Sequence, residues 1–477
     1  MEKNVVSLNK LQSTIIDYLL DAYPRGEMYA VGGTVRDLLM GREIKDVDVA
    51  LRGDPVVVAK ACARAIGGSF VWLHERFPTA RVIKGDCVFD FTALRGGDIK
   101  TDLLSRDFTI NALAMPLDNL TRYEINATVD VTLGLDDLKG GVIRMVLREN
   151  LVDDPLRLLR AYRFSSQLGF KIEAVTLRTI EELKSLIHRA ASERIWSELK
   201  AILASDSSTA ALESMIHNSL LFELIPELYA AKGVTQNQYH SLDVLQHSMA
   251  AYKAAEAVLR SLEDLPYSDG FRQYLSTPSG TKPILKLAIL LHDVGKPSTR
   301  AVDADGRVTF HRHSAVGADL TRDILLRFKA SQREVEHAGR LVFNHMRLNP
   351  SISEVMANHF DKKRAMVRLL NKVGADVYAM IIIALADTKA KALPYTDDVM
   401  QTARQLLRFY NEEYMPRSQR QRFITGHDLI EGFGLRPSSD FKLILEHVNE
   451  MALEGVINSR EEALSVVNAY LEHRVTA

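Results

Sequence analysis

Between Val31 and Leu51 the chain reads VGGTVRDLLMGREIKDVDVAL, and this stretch restricts the possible fold more than any other. An apolar run, Met28 to Val31, meets Gly32-Gly33 and then a helix-like segment opening at Thr34, so a strand turns into a helix whose first backbone N–H groups can face a phosphate. Fourteen residues past Gly32 stands Asp46, followed by Asp48, both among the apolar Val47, Val49, Ala50 and Leu51. A strand puts positions i and i+2 on one face, so both carboxylates can hold hard cations such as Mg²⁺ against a triphosphate. A glycine pair alone is an ordinary tight turn, and a DxD alone is an ordinary charged strand edge. Unpaired carboxylates beside apolar neighbours are costly, and the conjunction of the two devices favours nucleotide chemistry.

A chain of 477 residues has room for about three domains, and a 47% hydrophobic composition supplies several buried cores. The formal net charge of −1 excludes a global positive field, so any contact with nucleic acid rests on local basic patches. Two cysteines, Cys62 and Cys87, cannot build a disulfide framework and fit a reduced cytosol. The N-terminal MEKNVVSLNK lacks the apolar core of a signal peptide, and no run approaches the ~18 to 20 apolar residues that span a bilayer. The expectation is a soluble, cytoplasmic protein without a membrane partner.

Short β-rich runs (Met28 to Val31, Asp46 to Leu51, Ala80 to Lys84, Val88 to Leu94) and a helical-looking Asp107 to Met115 predict an α/β head around a mixed sheet. From about Asp154 onward apolar positions fall three and four apart, which predicts an all-helical body. Within it, Leu265 to Pro283 reads as a long loop and Met415 to Arg422 (MPRSQRQR) as a basic linker.

Two further stretches of the head carry chemistry. In SRDFTINALAM, from Ser105 to Met115, Arg106 held by Asp107 can present donors to a ribose hydroxyl or phosphate while Asp107 accepts from a 2′-OH; the competing reading is that Asp107 caps a helix. Upstream, Asp90 in VFDFTALR alternates with apolar neighbours and is either a third metal carboxylate or an exposed strand position. In DDPLRLLRAYRFSSQLGF, Asp154 before Pro155 suits a helix start, with Arg157 in the first turn. The pair can read a base edge: for cytosine, arginine donates to N3 and O2 while aspartate accepts from the amine. Arg160 and Arg163 follow at steps of three, as phosphate contacts or as a solvated face.

Taken in order, VGGTVRDLLMGREIKDVDVAL, SRDFTINALAM, GLDDLKGGVIR, DDPLRLLRAYRFSSQLGF and SERIWSELKAIL resemble the class II CCA-adding tRNA nucleotidyltransferase and bacterial poly(A) polymerase family. The resemblance implies a polymerase-β-like head, a helical neck and template-independent addition of nucleotides to an RNA 3′ end. It makes Asp46 and Asp48 the Mg²⁺ ligands, with Asp90 as a further catalytic candidate. Gly32, Gly33 and Arg36 with Arg106, Asp107, Asp154, Arg157, Arg160 and Arg163 become the nucleotide-binding set. Three departures stand out: Ser105 replaces the first arginine of the usual Arg-Arg-Asp, Asp153 replaces a usual glutamate, and only GGDIKTDLLS separates Arg95 from Arg106. Many CCA-adding members carry a long flexible arm there, and a shortened arm resembles enzymes that add CC. A switch from C to A needs a movable element to reshape the pocket.

A second metal site is readable downstream. His292-Asp293 follows the apolar run Leu285 to Leu291, and imidazole beside carboxylate suits a metal that activates water. His247 and Asp387 complete a four-ligand set, and His313 and His345 add a second metal or bind phosphate; the plainer reading of any one histidine is a satisfied core residue. The ordered series resembles the HD-domain metal phosphohydrolases, with Lys296 fitting HDxGK and Mg, Mn, Ni, Co or Fe as the implied metal. The resulting expectation divides the chain into a nucleotidyltransferase head (1–145), a base-reading neck (146–215), an HD domain (216–395) and a tail for the RNA body (396–477), where Arg417, Arg420 and Arg422 can grip RNA. The leading function is addition of CC to tRNA 3′ ends from CTP, ATP being a possible second substrate, with a separate A-adding partner enzyme. Full CCA addition, poly(A) synthesis, and a signalling phosphohydrolase with a regulatory nucleotide-binding head are the alternatives.

Overall fold

The protein is described by a computed structural model covering residues 8–23, 27–74, 79–236, 242–277, 281–348, 362–391, 396–420 and 422–475. It divides into two compact units, Met1–Leu224 and Ile225–Ala477.

The first unit is built on a seven-stranded mixed sheet. Its strands are β1 (Met28–Val31), β2 (Asp46–Leu51), β3 (Ser69–His74), β4 (Thr79–Lys84), β5 (Cys87–Ala93), β6 (Leu113–Pro116) and β7 (Val129–Asp130), in the order β3-β4-β5-β2-β1-β6-β7. Within this sheet the described pairs are antiparallel except β2–β5, which is parallel. Alternation along β2 sends Val47, Val49 and Leu51 into the main core, which they share with Ile15, Ile16 and Leu19 of helix α1 (Lys10–Ala22). The opposite face carries Asp46, Asp48 and Ala50, and Ala50 joins a smaller cluster with Val31, Leu103 and Ala114. Between β1 and β2 lies α2 (Gly33–Leu39), and β2 is followed by α3 (Pro55–Ile66), which Asp54 caps through the Val56 amide. Cys62 and Cys87 are free and buried.

The helix expected over Asp107 to Met115 is instead one 3-10 turn, Thr109–Asn111, followed by β6. Residues 110, 112, 113, 114 and 115 are all fully buried, so the segment has no polar face from which a helical period could be told from a strand. Antiparallel pairing of Ala30 with Met115 and Val31 with Ala114 then decides for strand. Further on, α4 (Leu156–Leu168) buries Leu158, Leu159 and Tyr162 and packs against the helix Ser192–Ala204.

In the second unit the helices Val244–Arg260, Lys282–Leu291, His313–Arg327, Gln332–Asn344 and Val377–Ala390 enclose one apolar core. Capping boxes set two of their starts, Asp243 with Gln246 and Ser331 with Glu334. The helical stretch Lys363–Ala390 is long and apolar enough to cross a bilayer by length and composition, contrary to the reading of the sequence, but 72% of its apolar window is buried within the protein. The loop expected over Leu265 to Pro283 contains the helix Ser268–Ser276, anchored by the fully buried Phe271; residues 278–280 lie outside the described set. The first half of the expected basic linker is helical: the turn Tyr410–Tyr414 runs into the helix Met415–Ser418, because Tyr410 is buried in the core and Arg417 donates to Leu453 O at 2.9 Å; residue 421 lies outside the described set. Three last helices, Gly426–Phe433, Ser439–Glu454 and Arg460–Val475, share an apolar cluster around Leu429, Ile444 and Val467.

Candidate active site and metal centre

In the first unit a cavity of about 1250 Å³ lies over the carboxylate face of β2, lined by α2, the 95–107 segment and one side of α4. Gly32 has φ +62°, and a Cβ there would lie 2.9 Å from Arg106 Nη1, so both backbone and neighbour demand glycine. The Gly32 amide donates to Leu113 O (3.1 Å), and the positive charge on the cavity wall comes from Lys45 and several arginines. Thr34 Oγ accepts from the Asp48 amide at 2.8 Å and donates to Asp46 O at 3.3 Å, locking α2 to the carboxylate-bearing strand.

Asp46 is exposed and Asp48 half-buried, and Asp90 on β5 is the direct register partner of Asp48. Burial and the neighbouring Asp90 push the Asp48 carboxyl up to about 6, the signature of a carboxylate cluster short of positive charge. Such a donor set fits a divalent cation of oxygen preference. Both oxygens of Asp90 are engaged by Arg81 of β4, at 2.7 Å each. Arg81 carries no motif and was missed in the sequence; only the β4–β5 register, Arg81 against Asp90, puts it there.

The 95–107 segment is fully folded. It comprises the turn Arg95–Gly97 and a six-residue helix, Ile99–Leu104, capped by Asp98. Asp102, also missed, closes it: one oxygen accepts the Arg95 amide (3.3 Å) and the other the Arg106 guanidinium (2.8 and 2.9 Å). Its only sequence signal was the i,i+4 spacing to Arg106. Asp107 is buried and accepts from the Phe108 amide, Asn111 and Arg160. Burial would raise its carboxyl, but Arg160 and Arg157 outweigh this and hold it at about 2. Neither reading of Asp107 holds as made: Arg106 is gripped by Asp102 rather than Asp107, which anchors Arg160, and the turn Thr109–Asn111 has Phe108 at its N-cap without a side-chain cap bond.

Asp154 and Arg157 both line the cavity, but their side chains do not bond each other. Asp154 accepts from the Leu156 amide and pairs with Arg194 (3.2 Å), whereas Arg157 donates to Ser105 O at 3.0 Å. Burial lowers the Arg157 pKa, so its charge is held in a partly desolvated wall. Ser105, which stands where a second arginine was expected, also faces Arg95 Nη1 (3.4 Å). Arg36 bonds Asp37 and Asn111, and Arg163 bonds Glu198.

The second unit holds a histidine–aspartate centre. His247 comes from the helix Val244–Arg260, His292 and Asp293 from the end of Lys282–Leu291, His313 and His345 from helix ends, and Asp387 from Val377–Ala390. His247 Nε2 lies 2.9 Å from Asp387 and 3.6 Å from Asp293, and His313 Nε2 lies 3.3 Å from His345 Nε2. Two sets have ligand atoms within 4.8 Å of one another: His247, His292, Asp387, and Asp293, His313, His345. Backbone carbonyls take the Nδ1–H of His292 (Ile289), His313 (Phe310) and His345 (Val342), which aims each Nε2 inward as metal ligands require. His292 Nε2 is buried without a well-formed hydrogen bond, 3.2 Å from Asp293 and 3.8 Å from Asp387, so it and the two carboxylates converge on a point that a cation fits. Burial beside His292 takes His345 down to about 3, keeping that ring neutral and able to ligate. Lys296 bonds Asp293 and Gln236 at 2.6 Å, and Lys391 bonds Asp387 at 2.6 Å; the supporting Gln236 and Lys391 were not read from the sequence.

An arginine-lined cavity over paired strand carboxylates, joined in one chain to a histidine–aspartate cluster able to hold a metal, defines a nucleotidyltransferase head linked to an HD domain. Residues 28–144 match the poly A polymerase head domain, 169–232 the probable RNA and SrmB-binding site of polymerase A, and 240–425 the HD domain. The A-adding tRNA nucleotidyltransferase of Deinococcus radiodurans is 31% identical over 464 residues, covering 95% of this chain and 97% of that one. The CC-adding enzyme of Thermus thermophilus is 28% identical, covering 92% and 93%. A solved structure of a CCA-adding enzyme with CTP shares the fold, with a TM-score of 0.64 at 21% identity over 98% of this chain and 96% of that one. The chain belongs to the class II CCA-adding tRNA nucleotidyltransferase family.

Proposed function

We propose that this protein adds CMP from CTP to the 3′ end of tRNA and stops after CC. The observation that carries the choice of CC is the connection from Arg95 to Arg106: two glycines, a capped six-residue helix and the Asp102 clamp leave no long movable arm to reshape the base pocket. The terminal RNA oxygen attacks the α-phosphorus of CTP, the bond from phosphorus to the pyrophosphate oxygen breaks, and pyrophosphate leaves. Arg157 and Asp154 read the cytosine edge, Arg106 and Asp107 the ribose, and Arg36, Arg160 and Arg163 the phosphates. The chemistry supplied by Mg²⁺ bound at Asp46 and Asp48, with Asp90 alongside, is two-metal activation of the attacking hydroxyl and neutralisation of the charge that develops at phosphorus.

The head (1–145) and neck (146–215) carry this reaction, and the HD domain (216–395) removes phosphate from RNA ends. The chemistry its Mg, Mn, Ni, Co or Fe supplies is an activated water. In the tail (396–477), Arg417 is used by Glu413 and Leu453, so RNA contact falls to Arg420 and Arg422, which line a cavity of about 250 Å³ with Asn449 and Phe423. The protein works in the cytoplasm beside a separate A-adding enzyme. A-addition is the second reading, favoured by the 31% identical Deinococcus relative.

Transcripts of one tRNA ending at the discriminator base, at C and at CC, each given labelled CTP or ATP alone, separate these readings. CC addition predicts two CMP on the first, one on the second and none on the third, with ATP inert throughout. AMP joined to the CC end overturns it, in favour of A-addition if CTP is inert and of full CCA synthesis if it is not. Long tails from ATP alone indicate a poly(A) polymerase.

A further inference from the structure

Three guanidiniums converge on one ring. Phe164, near the middle of α4 and 5% exposed, has Arg163 Cζ 4.4 Å from its centroid, Arg160 Cζ at 5.3 Å and Arg36 Cζ at 5.4 Å, all within cation–π range. Arg36 reaches it from α2, the other two from its own helix, and all four residues line the cavity. The ring itself is fixed edge-to-face by the fully buried Phe108, with centroids 5.9 Å apart and an interplanar angle of 82°. Each guanidinium has one carboxylate partner (Asp37, Asp107 and Glu198) and keeps N–H donors beyond those bonds.

From this arrangement we infer that Phe164 is a positioning residue, its negative ring face holding Arg36, Arg160 and Arg163 as a single fan that grips the polyphosphate of the incoming nucleotide. The inference rests on the nucleotide-binding reading above. Like charges gathered in a partly desolvated wall repel one another; a carboxylate holds one edge of each guanidinium, and Asn111 and Gln167 add a neutral partner to Arg36 and Arg163. The shared ring supplies a common negative surface between them and orders the fan before the ligand arrives, so less freedom is lost on binding. A leucine of similar bulk would fill the space without supplying that surface.

The test uses the full chain with phenylalanine analogues of rising fluorine content at position 164, which keep the ring's shape and progressively drain its negative face. The KM for CTP should climb stepwise to about tenfold at pentafluorophenylalanine with kcat within about twofold. The inhibition constant of tripolyphosphate, a probe with no base or ribose, should rise by the same factor. A flat series, or a CTP effect that tripolyphosphate does not share, overturns the role of Phe164. Failure of the unmodified protein to bind CTP and tripolyphosphate at all would instead overturn the nucleotide reading beneath it. Phe164→Leu should match or exceed the fluorinated end point; if it fails to fold, the isosteric series still decides.

Discussion

Asp107 shows how one carboxylate serves stability and site together. Its carboxyl, ordinarily near 3.8, is held at about 2 by Arg160 and Arg157 against the opposing effect of burial. A depressed folded value means stability that is fully present above the unfolded pKa and lost as pH falls through the folded one, so the window is about pH 4 down to 2. The gap corresponds to about 2 kcal/mol. Both tryptophans, Trp72 and Trp196, lie in the first unit, and Trp196 is buried, so their fluorescence during urea unfolding reports that unit alone. The wild type should exceed Asp107→Asn by about 2 kcal/mol at pH 5, with the difference shrinking toward pH 2.5. A difference that stays constant with pH would mean that the Asp107 charge contributes nothing.

At the scale of elements, the 95–107 connection acts as a brace. Asp102 ties the start of the segment to its end, and the guanidinium it holds is the one that Gly32 makes room for. Asp102→Ala removes a nearly buried partner of Arg106 and should cost about 2 to 3 kcal/mol in the same fluorescence assay, less than a fully buried pair because Arg106 is 21% exposed. It should also raise the KM for CTP at least about tenfold. An unchanged KM would show that Arg106 is placed by other contacts.

At the scale of the molecule, the two centres draw on separate units and separate residues. Asp46→Ala with Asp48→Ala should abolish CMP incorporation and leave hydrolysis of phosphorylated RNA ends intact. His292→Ala with Asp293→Ala should do the reverse. Incorporation that survives in the head variant would overturn the assignment of Asp46 and Asp48, and a wild type that hydrolyses phosphorylated ends but incorporates no nucleotide would favour the signalling phosphohydrolase with a regulatory head.

Much of this was legible locally. The DVDVAL alternation already states which face of β2 bears the carboxylates, because a strand has period two whatever surrounds it. The His-Asp pair at the end of an apolar helix was equally plain. The segment from Asp107 to Met115 was not, since a fully buried run has no polar face and only pairing with β1 made it a strand. The sequence by itself determined the candidate carboxylates and histidines and their local spacing. Tertiary structure alone decided their company: Arg81 across from Asp90, three arginines on Phe164, and His247 beside Asp387 140 residues away. Such contacts depend on how elements close over long loops and pack, and no local periodicity encodes the partner that packing selects.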